Sequence, residues 1–283
     1  MQRLALAFFA ALAAALVVVS LSAAAHRQTR QARSTPSRIV SLSPTATEDL
    51  FAIGAGKQVV AVDEDSNYPK AAPRTSLSGI TPNVEAIANY HPDLVVISNG
   101  GPFVQQLEGL GIRVVAEPAS QTIIGAYSEI KNLGRITGHL PEAQKLVTSM
   151  AGQLRAIVRS VPKSRRHLRV FHELDPTYYS ATSSTFIGRI YALFGFRNIA
   201  DAGDKQHTGY PQLSAEYILK ANPQIIVLAD GQAPAKVAAR PGWKTVAAVK
   251  SHRVVAVNED IASRWGPRIV QFARAVAKIA RKD

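Results

Sequence analysis

Tyr68 in Asn67-Tyr68-Pro69, Tyr210 in Gly209-Tyr210-Pro211, and the run Asp260-Ile-Ala-Ser-Arg264 are the residues best suited to holding a small molecule. A planar aromatic ring can lie along the face of a flat ligand, and a guanidinium can meet amide, carboxylate or phosphate groups. Pro44, in Ser43-Pro44-Thr45, follows one apolar run; His172, Tyr178 and Tyr179 follow another. Loops leaving the carboxyl ends of strands are where open α/β sheets bind ligands. Each residue also has a plainer reading. A tyrosine can be a half-buried packing residue, and Asp260 with Arg264 can form a local i,i+4 ion pair worth a few tenths of a kcal/mol.

Chemistry of other kinds finds less support. Ser41, Ser43, His172 and Asp175 can be assembled into a triad on paper, but there is no Gly-x-Ser-x-Gly elbow. A secreted small-molecule hydrolase or a redox domain of α/β fold is the alternative reading; the expectation is that the protein is not an enzyme. The seven histidines are scattered without His-x-x-x-His spacing, so no bare-metal site is expected. A haem iron could still be met by His172, His207 or a tyrosine. No Gly-x-x-x-x-Gly-Lys phosphate loop is present.

The elements that must position these residues are legible from a repeat. Glu85 to Ile97 aligns without a gap on Glu216 to Leu228, at an offset of 131 residues (85 + 131 = 216), with Pro92 matching Pro223. Each copy reads as a short helix, a proline break and an unbroken apolar strand. Such a strand is covered on both faces, as in a parallel sheet. Arg38-Ile-Val-Ser41 and Arg169-Val-Phe171 read as the strands that open the two halves, and Gly111 to Ala116 and Ser251 to Ala256 as later ones. The expected fold class is therefore α/β: two similar three-layer lobes with central, mainly parallel sheets. Between them, Ala143, Leu146, Val147, Met150, Leu154, Ile157, Val158 and Val161 make a helical stripe. The expected organisation is a lobe over 38–140, a connecting helix over 141–161 and a second lobe over 162–283, with limited hinge motion.

Composition narrows the class. The chain has 283 residues, enough for two lobes, and 47% hydrophobic content, enough for a sizeable core. Arg3, the apolar run Leu4 to Ala25 and the small residues Ser22-Ala-Ala-Ala25 read as a secretory signal or an uncleaved N-terminal anchor, followed by a polar tether over 26–37. There is no cysteine, so disulfides, thiolate metal sites and a lipid-modified N-terminal cysteine are closed to this sequence. The net charge of +13 comes from scattered basic residues without an aromatic–basic platform, so no nucleic-acid partner is expected.

Four segments carry a resemblance: Arg38 to Glu48, Thr81-Pro-Asn-Val-Glu85, Pro92-Asp-Leu-Val-Val96 and Tyr210-Pro-Gln-Leu-Ser-Ala-Glu216. In order and spacing they resemble the helical-backbone periplasmic binding proteins of ABC importers. The vitamin B12-binding branch is nearest, and the ferric siderophore and haem binders are relatives. The resemblance implies two lobes on one long helix with a bulky ligand between them: a cobalamin-type corrinoid, haem or a ferric siderophore as cargo, with no resident cofactor. Ligand contacts are expected from Pro44, Tyr68, His172, Tyr178, Tyr210, Asp260 and Arg264, and the spacing of Asp260 and Arg264 resembles a late polar pair of the B12-binding branch. The resemblance also implies an extracytoplasmic monomer that partners a membrane permease and its ATPase, with Glu85 and Glu216 docking onto permease arginines. First-turn helix charges are the plainer reading of those two glutamates. The branch often lines its cleft with tryptophans; here Tyr210 stands where one is expected, and the chain has only Trp243 and Trp265.

Overall fold

A computed structural model describes residues 35–282. The expected signal or anchor (1–25) and most of the tether (26–37) lie outside the described residues. Among the described residues, no helix is long and apolar enough to cross a membrane. Ser37–Asp283 form one compact unit containing two sheets.

The first sheet holds β1 (Ile39–Leu42), β2 (Val59–Asp63), β3 (Arg74–Leu77), β4 (Leu94–Ile97) and β5 (Arg113–Ala116) in the order β3-β2-β1-β4-β5. The second holds β6 (Arg169–Glu173), β7 (Arg197–Asn198), β8 (Ile225–Leu228) and β9 (Val254–Ala256) in the order β7-β6-β8-β9. Every strand pairing within them is parallel. β4 and β8 are buried along their whole length, as their unbroken apolar runs require of strands covered on both faces.

The helices are α1 (Pro44–Ala52), α2 (Val84–Ala88), α3 (Pro102–Gly109), α4 (Ile123–Thr137), α5 (Leu140–Arg159), α6 (Phe186–Leu193), α7 (Ala200–Gly203), α8 (Ala215–Ala221), α9 (Pro234–Ala238), α10 (Ala247–Lys250), α11 (Glu259–Ser263) and α12 (Ile269–Ala280). The repeat extends to the capping of its helices. Asn83 caps α2 by accepting from the Ala86 N–H, and Ser214, 131 residues later, caps α8 by accepting from the Tyr217 N–H. Strands β4 and β8 begin at the same offset.

The stripe expected from Pro141 to Val161 is α5, 20 residues or about 30 Å long, lying in sequence between the two sheets. It packs against α4 and against α12. The turn from α4 to α5 is tight: Gly138 closes α4 at φ +80°, a conformation that favours glycine. At Gly134 a Cβ would lie 2.5 Å from Ala143 Cβ, so the glycine lets the two helices approach closely. Ile39 and Leu50 from the first half, Met150 and Leu154 from α5, and Val170 and Phe272 from the second half belong to one hydrophobic cluster. Each fully buried large side chain in it contributes about 1.5–3 kcal/mol. β2, β3 and β7 complete the sheets.

Candidate functional site

A cleft of about 480 Å3 opens at the carboxyl ends of strands from both sheets. Its first wall comes from Ser43, Pro44 and Thr45 after β1, Glu64, Asp65 and Asn67 after β2, and Ser98 after β4. Its second wall is Glu259 to Trp265 after β9, contributed by Glu259, Asp260, Ser263, Arg264 and Trp265. Pro44 starts α1, whose cap is the Ser43 hydroxyl accepting from the Ala46 N–H at 3.3 Å. Pro44, Asp260 and Arg264 are thus brought to one cavity although 216 residues separate the first from the second.

Arg264 ties the two walls together. Its Nη1 donates to Glu48 Oε1 at 2.8 Å and to Asn67 Oδ1 at 3.0 Å. Its Nη2 donates to the Asp65 carbonyl at 3.0 Å and to Asp260 Oδ1 at 2.7 Å. The i,i+4 pair of Asp260 and Arg264 therefore exists, as one part of a larger lock. Arg268 grips the same glutamate from the other side, with Nε on Oε2 at 2.8 Å and Nη2 on Oε1 at 2.5 Å. The Glu48 side chain is 1% exposed, so its charge is held wholly by these two guanidiniums.

Behind this lock sits a group of buried acids. The Trp265 indole N–H donates to Glu129 Oε2 at 2.7 Å, and Asn132 donates to Glu117 Oε1 at 2.7 Å. Burial, with Glu129, Glu48 and Glu117 nearby, holds the Asp49 carboxyl well above its ordinary range. Burial pushes Glu129 up to about 7, with the Trp265 hydrogen bond opposing and the Glu117 charge adding to it. Unfolded, these carboxyls release their protons at lower pH, so between about pH 4.5 and 7 the folded state binds more protons than the unfolded one. Stability is therefore expected to fall as pH rises through that window. Glu129→Gln should flatten the fall and stabilise the protein at pH 8 by about 1–2 kcal/mol, a figure reduced for partial exposure, with little effect at pH 5. Urea unfolding at the two pH values reads this; an equal gain at both would remove the ionisation of Glu129 as its cause.

The other candidates fall in different places. Tyr68 is half-exposed and its ring carries the Arg268 guanidinium at 4.5 Å. It borders a separate groove of about 320 Å3 with Glu48, Phe51 and Gln271. Tyr210, also half-exposed, lines a cavity of about 440 Å3 with Tyr179 and Gln212, whose backbones bridge. Tyr178 turns inward, stacked on Trp243, and Arg240 sits over both rings while donating to both oxygens of buried Glu173.

His172 needs a correction. The sequence placed it in a loop after the strand, but β6 runs on to Glu173 and the histidine is 0% exposed. Its Nδ1 shares a hydrogen bond of 2.6 Å with the Tyr191 hydroxyl, and burial lowers its pKa to about 3. It is a neutral core residue with no surface to offer a ligand. The structure in turn reveals Glu48, Asn67 and Arg268, for which the sequence carried no distinguishing signal.

Glu85 and Glu216 are both exposed, each the second residue of its short helix. The backbone N–H of Glu216 and the Ser214 hydroxyl hold the Glu216 carboxyl below its ordinary range.

Residues 39–261 match the model of the family described as periplasmic binding protein. The chain belongs to that family. This periplasmic binding protein is 32% identical over 259 residues to an ABC transporter substrate-binding lipoprotein of Bacillus subtilis, covering 88% of this chain and 81% of that one. It is 34% identical to a cobalamin-binding protein of Halobacterium salinarum, covering 84% and 68% of the two chains. It superposes on a periplasmic solute-binding protein of Staphylococcus epidermidis, described as a possible iron-binding protein, with a TM-score of 0.76 and 28% identity, covering 88% of this chain and all of that one. The Bacillus relative is named a lipoprotein; the present chain has no cysteine to carry a lipid.

Proposed function

We propose that this protein is the extracytoplasmic substrate-binding subunit of an ABC importer, that it captures a bulky ligand, a cobalamin-type corrinoid before haem or a ferric siderophore, and that it passes the ligand to a membrane permease. The observation that carries this reading is the cleft of about 480 Å3 built from the carboxyl ends of strands in both sheets, in a chain that belongs to a solute-binding family. The corrinoid comes first because the Halobacterium relative is named for cobalamin. Pro44, Asp260 and the rim around them are proposed to touch the ligand, with Tyr210 and Tyr179 extending the surface on the second half. Arg264 acts by holding the two walls in register.

Binding without turnover tests the reading. Cyanocobalamin, hemin or a ferric siderophore in excess is expected to raise the melting temperature of the purified protein and to leave the ligand chemically intact, since a ligand that binds only the folded state stabilises it by mass action. Stabilisation by none of the three, or release of a reaction product, would overturn it.

A further inference from the structure

The chain carries a net charge of +13, yet its cleft is acidic. Four carboxylates line it, on Glu64, Asp65, Glu259 and Asp260, against two guanidiniums, on Arg74 and Arg264. That leaves a formal charge of −2 (two minus four). Arg264 is engaged in the lock on Glu48 and Asp260, while the exposed Arg74 donates through Nη2 to the Glu64 carbonyl at 2.8 Å, so the carboxylates outnumber the guanidinium still facing solvent. Asp260 is itself satisfied by Arg264 and by the Asn67 amide at 2.9 Å. The side chains of Glu64, Asp65 and Glu259 are exposed and, among the described residues, meet no hydrogen-bond or ion-pair partner.

Three free carboxylates in one cleft could in principle hold a cation. Among the described residues, however, no three carboxylate or imidazole side chains converge closely enough to hold a metal ion. The negative charge is spread along the cleft. Spread acceptors in excess of the donors beside them suit a large ligand that presents separated N–H groups, because carboxylates only accept and carboxamides and ammoniums donate. The same field repels a ligand that carries free carboxylates, and repulsion of the wrong partner is a large part of specificity.

We propose that the cleft selects by charge: Glu64, Asp65 and Glu259 accept from carboxamide or ammonium groups of a neutral or cationic ligand and reject ligands bearing carboxylates. The inference rests on the cleft being the ligand site proposed above. It also reverses the role expected for Arg264, whose two terminal nitrogens are taken up by the protein.

A matched pair of probes isolates the charge. Cobinamide and cobyrinic acid share one corrin ring, the first carrying carboxamides where the second carries carboxylic acids. At neutral pH and low salt the protein is expected to bind cobinamide at least 100-fold more tightly. The triple variant Glu64→Gln/Asp65→Asn/Glu259→Gln should shrink the preference at least tenfold, chiefly by binding the acid better, and added salt should shrink it as well. Equal affinities for the two probes, a preference unmoved in the triple variant, or tight binding of hemin with its two propionates would overturn charge selection and leave the cleft as a ligand site. Binding of no probe at all would overturn the ligand site and the selection together.

Discussion

Glu48→Ala is expected to destabilise the folded protein by about 3–5 kcal/mol, the cost of leaving buried charge without its partner. The substitution removes three charge-assisted hydrogen bonds at once, one from Arg264 and two from Arg268. Both guanidiniums are themselves buried, 7% and 9% exposed, so neither can recover its hydration without opening the seam between the halves. Tyr68, which lies under the Arg268 guanidinium, would lose the anchor of that contact too. The measurement is the urea midpoint at unchanged slope, which separates lost stability from a change in compactness. A loss below about 1 kcal/mol would show that the seam does not depend on this carboxylate. Removing all three charges with apolar residues of similar volume is expected to be far less costly, because the desolvation penalty leaves with them.

Reversing charge at both Glu85 and Glu216 should act elsewhere. Uptake of ligand by cells carrying the cognate permease is expected to fall at least tenfold, while ligand affinity of the purified variant stays within twofold. The reason is placement. Both glutamates are exposed in the first turns of α2 and α8, ahead of strands β4 and β8, and neither lines the cleft. Their caps, Asn83 and Ser214, would remain, so the helices should persist with only the small penalty of a positive charge at a helix start. Each single reversal should give an intermediate loss, since one pair of charge-assisted bonds would survive. Uptake that remains at the parent level in the double variant would remove the docking role.

The features legible in the sequence are those written in local periodicity. The helix-proline-strand repeat foretold α2-β4 and α8-β8, because each signal lies within a dozen residues. The stripe that became α5 was equally local. The site was legible only in part. Asp260 and Arg264 were visible as a pair, but their partner Glu48 lies 216 residues from Arg264 and 220 from Arg268, and nothing in α1 marks that glutamate as buried. His172 misled for a related reason. Polar residues usually end a buried strand, but here His172 and Glu173 find Tyr191 and Arg240 inside the fold, so β6 continues through them.

The shared cluster of Ile130, Met150 and Phe272 decides whether the halves can be exchanged. The chain displays one helix-proline-strand segment twice, and each half keeps a hydrophobic cluster of its own, but a third cluster runs through both. A chimaera that took one half from a relative would have to import the facing surfaces of α4, α5 and α12 along with it, or leave a mismatched seam through its middle. The shared cluster is what keeps the halves from being interchangeable one at a time.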